Sequence, residues 1–279
     1  YKIYDNMVFT IDTTGLHPND VIYNEFQDKD LMAMETVSEQ LFKKPNKSQK
    51  NIIANKVSGI DSPMFVYIIE NIQSIGFQED LITINEKQYI NPISNGSKKK
   101  YIFVLESTLK TDSNDSIFVI SFKPYRNTNF NALSGTMTFN SDKWAIQHIK
   151  AEPSKQDAMF NIDIQQLYEK VNGYWFPKQL NTNISFNMLD VYTMMGIGKS
   201  YITEIEINKD LDRSNFSNAD YVISDKAGDS DDVIKAYRYE KLSGERLDAT
   251  YKFVDSIFAA ENINMDKIAG IMTSLMYDE

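Results

Sequence analysis

The sequence lacks cysteine, contains only two histidines, and carries fewer basic than acidic side chains. Without cysteine, a disulfide scaffold and a thiolate zinc site are both excluded. The formal net charge of -10 argues against a nucleic-acid ligand, because phosphate binding needs a dense surface of Lys and Arg. No apolar run reaches the ~18 residues that a membrane-spanning helix requires.

Segments that alternate apolar and polar residues dominate the chain. It has 279 residues, of which 42% are hydrophobic, enough for one large β unit with satellites or for two small domains. Short polar turns separate the segments between Tyr101 and Ile207, and this spacing predicts an antiparallel meander. The segments of the meander are Asp115–Pro124, Leu133–Asn140, Trp144–Pro153, Phe160–Glu169, Trp175–Phe186 and Tyr201–Ile207.

The strand pattern also extends towards the N-terminus. Alternation over Tyr1–Ile11, Leu31–Phe42 and Lys50–Val57 predicts three further strands. Within the meander, Asp115–Phe122 is apolar on both faces, which predicts a central strand that is covered on both sides.

Two regions favour helices. Ser62 and Pro63 form a helix start signal, and apolar residues at helical spacing predict an amphipathic helix over Pro63–Ile75 that packs on the sheet. Near the C-terminus, Ser243 is predicted to cap a second helix. The apolar stripe of that helix consists of Leu247, Tyr251, Val254 and Phe258. A shorter helix is predicted over Met265–Met276.

These patterns together predict an α+β fold. One large, curved antiparallel sheet packs on a helix, and a helical tail follows. We expect a sheet domain over residues 1–208 with its helix near 63–75, an acidic loop or linker over 209–232, and the helical tail over 233–279.

No catalytic pattern is found. Gly196–Ser200 resembles the end of a phosphate-binding loop, but Thr193 stands where the first glycine is required, so a glycine bend between two strands is expected. His17 and His148 are isolated, and the acidic loop Asp225–Asp232 lacks the ligand spacing of an EF-hand. The carboxylates weighed for acid–base chemistry are Glu106, Glu152, Asp163, Glu204 and Glu206, and a solvated sheet face explains them. We therefore predict no catalytic, cofactor-binding or metal-binding residue.

Aromatic side chains are abundant, with 16 Tyr, 16 Phe and 2 Trp. Two explanations stay open. They fill a core, or they line a cavity for a lipid or acyl chain, as the walls of small barrels do.

Several motifs resemble a Bacteroidetes family of unknown function. They are Asn91–Ser94, Tyr101–Thr108, Phe118–Pro124, Asn129–Phe130 with Leu133–Gly135, Ala145–Gln147, Ala151–Pro153 and Trp175–Asn181, and also Met34–Glu39, Ala54–Gly59 and Tyr237–Glu240 with Leu242–Ser243. Members of that family are usually labelled carboxypeptidase-like regulatory domain-containing proteins. The meander is also similar in style to the LolA-like half-barrel of lipoprotein carriers.

The resemblance implies a periplasmic segment cut from a longer outer-membrane protein that also contains a barrel. It carries over no catalytic residues and no peptidase chemistry. We expect a non-catalytic, outer-membrane-associated module that binds an apolar ligand, such as a lipid or lipoprotein, or an envelope partner. The alternatives are a scaffold that positions the barrel or docks a partner protein, and a glycan hydrolase that uses two carboxylates.

Overall fold

The fold is described from a computed structural model of the chain. The structure describes residues 1–15, 21–43, 47–58, 72, 75–77, 79–85, 87–112, 115–188, 192–217, 221–223, 231–239 and 241–259. None of the helices in these residues combines the length and hydropathy needed to cross a membrane.

An open sheet dominates the described residues. Its hydrogen-bonded order is β13-β3-β2-β1-β12-β11-β10-β9-β8-β7-β6, in which ten strands are antiparallel and β13 pairs in parallel with β3. The strands are β1 (Lys2–Asp12), β2 (Asp30–Lys43), β3 (Lys47–Val57), β6 (Tyr101–Lys110), β7 (Ser116–Pro124), β8 (Leu133–Asn140), β9 (Ala145–Pro153), β10 (Phe160–Val171), β11 (Tyr174–Met188), β12 (Tyr192–Thr203) and β13 (Tyr221–Ile223). Two further strands, β4 (Leu81–Ile84) and β5 (Lys87–Ile90), form a separate hairpin.

Three α-helices accompany these strands in the described residues: α1 (Val21–Phe26), α2 (Asp231–Tyr237) and α3 (Lys241–Ala259). The two C-terminal helices pack against the sheet, because their apolar stripes meet apolar residues of β1–β3. One buried cluster contains Tyr4, Val37, Ala54, Tyr201 and Ile234, and another contains Val8, Ala33, Leu247 and Tyr251.

The chain divides into two compact units. Unit 1 comprises Tyr1–Ser62 with Gly196–Ala269, and unit 2 comprises Pro63–Met195 with Gly270–Glu279. In unit 1, both faces of β1 and β2 are buried. The face opposite the helices contains methionine, with Met7 across from Met34 and Met32 across from Phe9. Such residues pack without leaving gaps because the unbranched thioether side chain is flexible.

Unit 2 follows the alternation that the sequence predicts. On β10, Phe160, Ile162 and Ile164 are buried, whereas the residues between them are half-exposed. The chain that precedes β6 covers part of this buried face, because the Gln166 side-chain amide on β10 donates to the backbone oxygen of Ile75. The Tyr101 hydroxyl on β6 likewise donates to the backbone oxygen of Ile90. The approach of β8 to β9 is so close that a Cβ on Gly135 would lie 1.9 Å from the backbone oxygen of Lys150.

The predicted fold is confirmed in its main features. The large antiparallel sheet and the helical tail are present, and the predicted strands at Tyr1–Ile11, Leu31–Phe42 and Lys50–Val57 correspond to β1, β2 and β3. The likeness to a LolA-like half-barrel stays a prediction, as do the domain boundaries. The helix predicted over Pro63–Ile75 and the helix predicted over Met265–Met276 fall largely or wholly outside the described residues, although Ile72 is helical and buried.

Four local predictions are corrected. Ser243 lies within the first turn of α3, which begins at Lys241, so it is not the cap. Gly196 lies inside β12 rather than in a bend, where a Cβ would lie 2.7 Å from the Phe9 ring. Strand β12 ends at Thr203, before the predicted end at Ile207. The strand predicted as central, β7, is the second strand from one end of the sheet order, and its side chains are mostly half-exposed on both faces.

Candidate functional site

The carboxylates weighed for catalysis do not form a pair in the described contacts. Glu106 accepts a hydrogen bond from Ser121, Glu206 binds Lys209, and Glu204 binds both Lys2 and Tyr237. Their partners hold the pKa of Glu204 and that of Glu206 below the usual range, each through hydrogen bonding to a lysine. Glu152 is exposed and Asp163 is half-exposed. Carboxylates in such positions are typical of a solvent-exposed sheet face.

His148 lies in a polar ladder on the exposed face of unit 2. Its Nε2 is 2.8 Å from Nε2 of Gln165, whose Oε1 accepts from Asn181, and Asn181 accepts in turn from Gln179. Burial, and secondarily the charge of Lys150, lowers the pKa of His148. The imidazole is therefore a neutral member of a hydrogen-bonded row. Among the described residues, no group of three or more His, Asp or Glu is arranged to hold a metal ion; His17 and most of the Asp225–Asp232 loop lie outside them.

Unit 1 contains a buried charged cluster around Glu35 on β2. The Glu35 side chain is 0% exposed and accepts from the Tyr4 hydroxyl at 2.5 Å and from Arg238 at 2.7 and 2.6 Å. Arg238 also reaches Asp248 on α3. Hydrogen bonding to Glu35 raises the pKa of Arg238, and burial raises that of Tyr4. The guanidinium thus joins the helices to the sheet, and every carboxylate oxygen of Glu35 has a partner, so the cluster is structural.

A different kind of site lies at the β6 end of unit 2, where an apolar sheet face is left open. Cross-strand partners point to the same face of a sheet, so Phe103 shares a face with Phe122, and Leu105 shares it with Ile120. We define the open apolar face as Phe103, Leu105, Phe118, Ile120, Phe139 and Trp144. Phe139 on β8 belongs to this face because it pairs with Phe118. Trp144, in the turn that follows β8, belongs to it because its ring stacks on the Phe118 ring at 5.4 Å.

The open apolar face continues the buried core. The Tyr101 ring lies 6.1 Å, between centroids, from both the Phe103 ring, to which it is tilted, and the Phe122 ring, which it meets edge-on. Phe122 and Tyr101 are buried, but Leu105 is 58% exposed and Trp144 68% exposed. Exposed apolar groups grouped on one face, rather than scattered, are typical of an interaction surface.

Trp144 is held outward by a strained turn. Lys143 and Trp144 have φ values of 57° and 53°, in the left-handed region that residues other than glycine rarely adopt. The Lys143 ammonium donates to the backbone oxygen of Gly173 and lies over the Tyr174 ring at 5.5 Å. These contacts hold the turn between β8 and β9 in place, so the turn conformation keeps the Trp144 indole exposed.

The open apolar face ends at a free strand edge. Strand β6 is the last in the sheet order, and no described strand pairs with its outer side. The ladder between β6 and β7 contains a bulge at Glu106, because Leu105 pairs with Ile120 and Ser107 with the adjacent Val119. Lysines flank this edge in an otherwise acidic chain: Lys98, Lys99, Lys100 and Lys110.

Sequence reasoning missed this site because the apolar pattern on β7 was interpreted as that of a covered, central strand. Apolar residues on both faces usually indicate burial. The signal that was available in the sequence is the basic run Lys98–Lys100, which directly precedes the edge strand, because edge strands often carry lysine. Basic residues at one end of an apolar segment were therefore evidence for an edge rather than for a central strand.

Comparisons with known proteins add a family. A family model described as a family of unknown function (DUF5686) matches residues 8–203. A search of curated proteins finds no match. Among solved structures, the chain is similar to the crystal structure of a DUF1329 family protein from Desulfovibrio piger ATCC 29098, with 12% identity over 77% of this chain and 91% of that chain, and a TM-score of 0.24. At that TM-score the likeness supports no conclusion about fold or function.

Proposed function

The chain belongs to the family of unknown function DUF5686, and we propose that it is a non-catalytic module of the bacterial envelope that docks a partner protein through the open apolar face. The proposal places the module in the periplasm, associated with the outer membrane. That location rests on the resemblance of its motifs to envelope proteins with a barrel.

The open apolar face is the observation that carries this proposal. Leu105 and Trp144 are each more than half exposed, although both continue a face whose inner residues are buried. Removing such groups from water on binding contributes ~25 cal/mol per Å² of apolar area. Because the face opens onto a free strand edge, it suits a flat protein surface better than a small enclosed ligand.

The non-catalytic part of the proposal has separate support. Glu106, Glu204 and Glu206 are bound to their own lysine or hydroxyl partners, and His148 is hydrogen-bonded within a row of amides. A glycan hydrolase needs two carboxylates that face one substrate from about 5 to 9.5 Å apart. The contacts of Glu106, Glu204 and Glu206 favour no such pair.

Site-specific photo-crosslinking tests the proposal. A benzophenone amino acid replaces Trp144 on the open apolar face, and in a control variant it replaces Thr136, which is exposed on β8 but points to the opposite face because its neighbour Met137 is buried. We expect irradiation of cells to give a discrete protein adduct from position 144 and none from position 136.

Other outcomes separate the alternatives. A lipid adduct specific to position 144 would assign the face to an apolar small molecule and reject docking of a protein. Absence of any adduct, or equal adducts at both positions, would reject binding at this face. Recovery of the protein from a soluble cytoplasmic fraction would contradict the proposed location.

A further inference from the structure

We propose that the free edge of β6 pairs with β6 of a second copy of this chain, antiparallel and about a two-fold axis at the Glu106 bulge. The inference does not depend on the proposed function, because it concerns the strand edge and not the partner of the apolar face. It rests on backbone direction, side-chain parity and charge, all of which the structure gives for unit 2.

Backbone direction defines which groups on β6 are free. The Tyr125 amide donates to the Lys100 oxygen, and the Thr111 amide donates to the Asp115 oxygen. Hydrogen-bonded and non-hydrogen-bonded pairs alternate along an antiparallel ladder. Counting from these two anchors, and within residues 102–110, the N–H and C=O groups that point away from β7 belong to Phe103 and Leu105 before the bulge and to Thr108 and Lys110 after it.

One antiparallel register matches these free groups with each other. It places Phe103 opposite Lys110 of the second copy and Leu105 opposite Thr108 of the second copy. Both pairs then exchange backbone hydrogen bonds, on both sides of the axis. A one-residue shift would bring free groups against groups already bound to β7, so the alternation excludes it.

The same register keeps the two faces of the sheet aligned. Phe103 and Leu105 lie on the open apolar face, and Thr108 joins them there because it pairs with Phe118 across the bulge. Val104 lies on the opposite face and is exposed, as is Leu109. In the proposed register Val104 lies across from Leu109 of the second copy, so apolar groups meet on this face as well.

Charge favours the second copy over a foreign strand. Lys98, Lys99 and Lys100 precede β6, and the turn after it contains Asp112 and Asp115. In the proposed register the basic run of each copy lies opposite the acidic turn of the other, once at each end of the paired strands. This complementarity arises within a chain whose formal net charge is -10, and opposite charges at close range both attract and fix register.

The bulge sets the strength of the association. The two copies of Glu106 lie near the axis, and their like charges oppose pairing. The pairing is therefore expected to be reversible rather than permanent. Replacement of the carboxylate by an amide in Glu106→Gln should strengthen it.

Cysteine crosslinking tests the register directly, because the natural chain contains no cysteine. Val104 and Leu109 of the second copy form a non-hydrogen-bonded pair, in which Cβ atoms lie ~4.5 Å apart, within reach of a disulfide. We expect a mixture of Val104→Cys and Leu109→Cys proteins to form a crosslinked dimer under mild oxidation. Each variant alone should stay monomeric on a non-reducing gel.

Two further measurements keep the test independent of disulfide chemistry. In sedimentation equilibrium the natural chain should show a monomer–dimer equilibrium, which Leu105→Pro should abolish, since proline removes an outward donor and leaves the bonds to β7 intact. Leu105→Thr retains the backbone donor and should weaken association less. Circular dichroism of all variants checks that they fold.

Charge reversal supplies a specificity control. Lys98→Glu with Lys99→Glu in one protein, and Asp112→Lys with Asp115→Lys in another, should each weaken self-association about tenfold, whereas their mixture should form a heterodimer. A natural chain that stays monomeric at millimolar concentration, or crosslinks from a single cysteine variant alone, would overturn the proposal. Neither result would contradict the docking of a partner protein at Trp144, because that proposal is tested separately by photo-crosslinking from position 144.

Discussion

The buried guanidinium of Arg238 provides the strongest test of how the helices are held on the sheet. We consider Arg238→Met, which keeps an unbranched apolar stem but removes the charge. The Arg238 side chain is 11% exposed, and the substitution strips its two contacts at 2.7 and 2.6 Å from a Glu35 carboxylate that is 0% exposed. The Tyr4 hydroxyl still donates to Glu35 in this variant, but a hydroxyl carries no charge that could compensate the carboxylate.

The expected cost follows from the burial of the charge left behind. Removing one partner of a buried ion pair destabilises a protein by about 3 to 5 kcal/mol, because the remaining charge is neither solvated nor compensated. With a urea slope of about 2 kcal/mol per molar, a loss of about 4 kcal/mol lowers the unfolding midpoint by about 2 M. The exposed contact with Asp248, whose side chain is 44% exposed, adds less than about 1 kcal/mol.

The assay is urea unfolding followed by circular dichroism at the helical band. Helices α2 and α3 lie in unit 1, whereas Trp144 and Trp175 both lie in unit 2. Circular dichroism should therefore detect the loss of stability of unit 1, and tryptophan fluorescence follows the unfolding of unit 2 separately.

Two controls complete the test. Lys209→Met breaks an ion pair in which both side chains are 59% exposed, so its cost should be small beside that of Arg238→Met, because water screens an exposed pair. The double variant Glu35→Leu with Arg238→Met removes both charges and should recover most of the loss, since apolar replacements of a buried pair are often neutral. If Arg238→Met costs no more than Lys209→Met, or if the double variant is as unstable as the single one, the reasoning is wrong.

Two further predictions concern unit 2. Gly135→Ala should prevent the normal approach of β8 and β9 and markedly lower the yield of folded protein, because its Cβ would lie 1.9 Å from a backbone oxygen. Gly76→Ala is the control: no atom lies within 4 Å of the added Cβ, so this variant should fold like the natural chain. Burial raises the pKa of Tyr168 to about 12, from about 10 for an exposed tyrosine. Between these values the unfolded state has lost the proton that the folded state retains, so stability falls as pH rises, by about 1 kcal/mol from about pH 9 to about pH 11. Tyr168→Phe should remove this part of the alkaline loss, as measured by urea unfolding at about pH 9 and about pH 11; an unchanged pH dependence would contradict it.

The sequence predicted strands correctly where one face of the strand is buried and the other is exposed to solvent. On β10 the alternation of Phe160, Ile162 and Ile164 with polar residues predicted both the strand and its buried face. The stripe of Leu247, Tyr251 and Val254 likewise predicted α3, because a 3.6-residue period fits no strand. These elements depend on local pattern and need no knowledge of neighbours.

The sequence was a poor guide wherever the environment depends on strand order. Residues Asp115–Phe122 are apolar on both faces, and only their place beside the edge strand explains why they are half-exposed. The open apolar face combines residues from β6, β7, β8 and a turn, so the pattern of no single segment predicts it. The partnership of Glu35 with Arg238 spans 203 positions, and no local signal pairs two charges across such a separation.

The two ends of the strand order differ in what they offer to another chain. At the end opposite β6 stands β13, which is only three residues long and runs parallel to its neighbour. Growth of a fibre by edge-to-edge addition needs two long, receptive edges. Among the described strands that end the sheet order, β6 provides such an edge and the short β13 does not. Pairing at β6 would therefore end with two copies, and apolar side chains exposed there would carry less hazard of open-ended polymerisation.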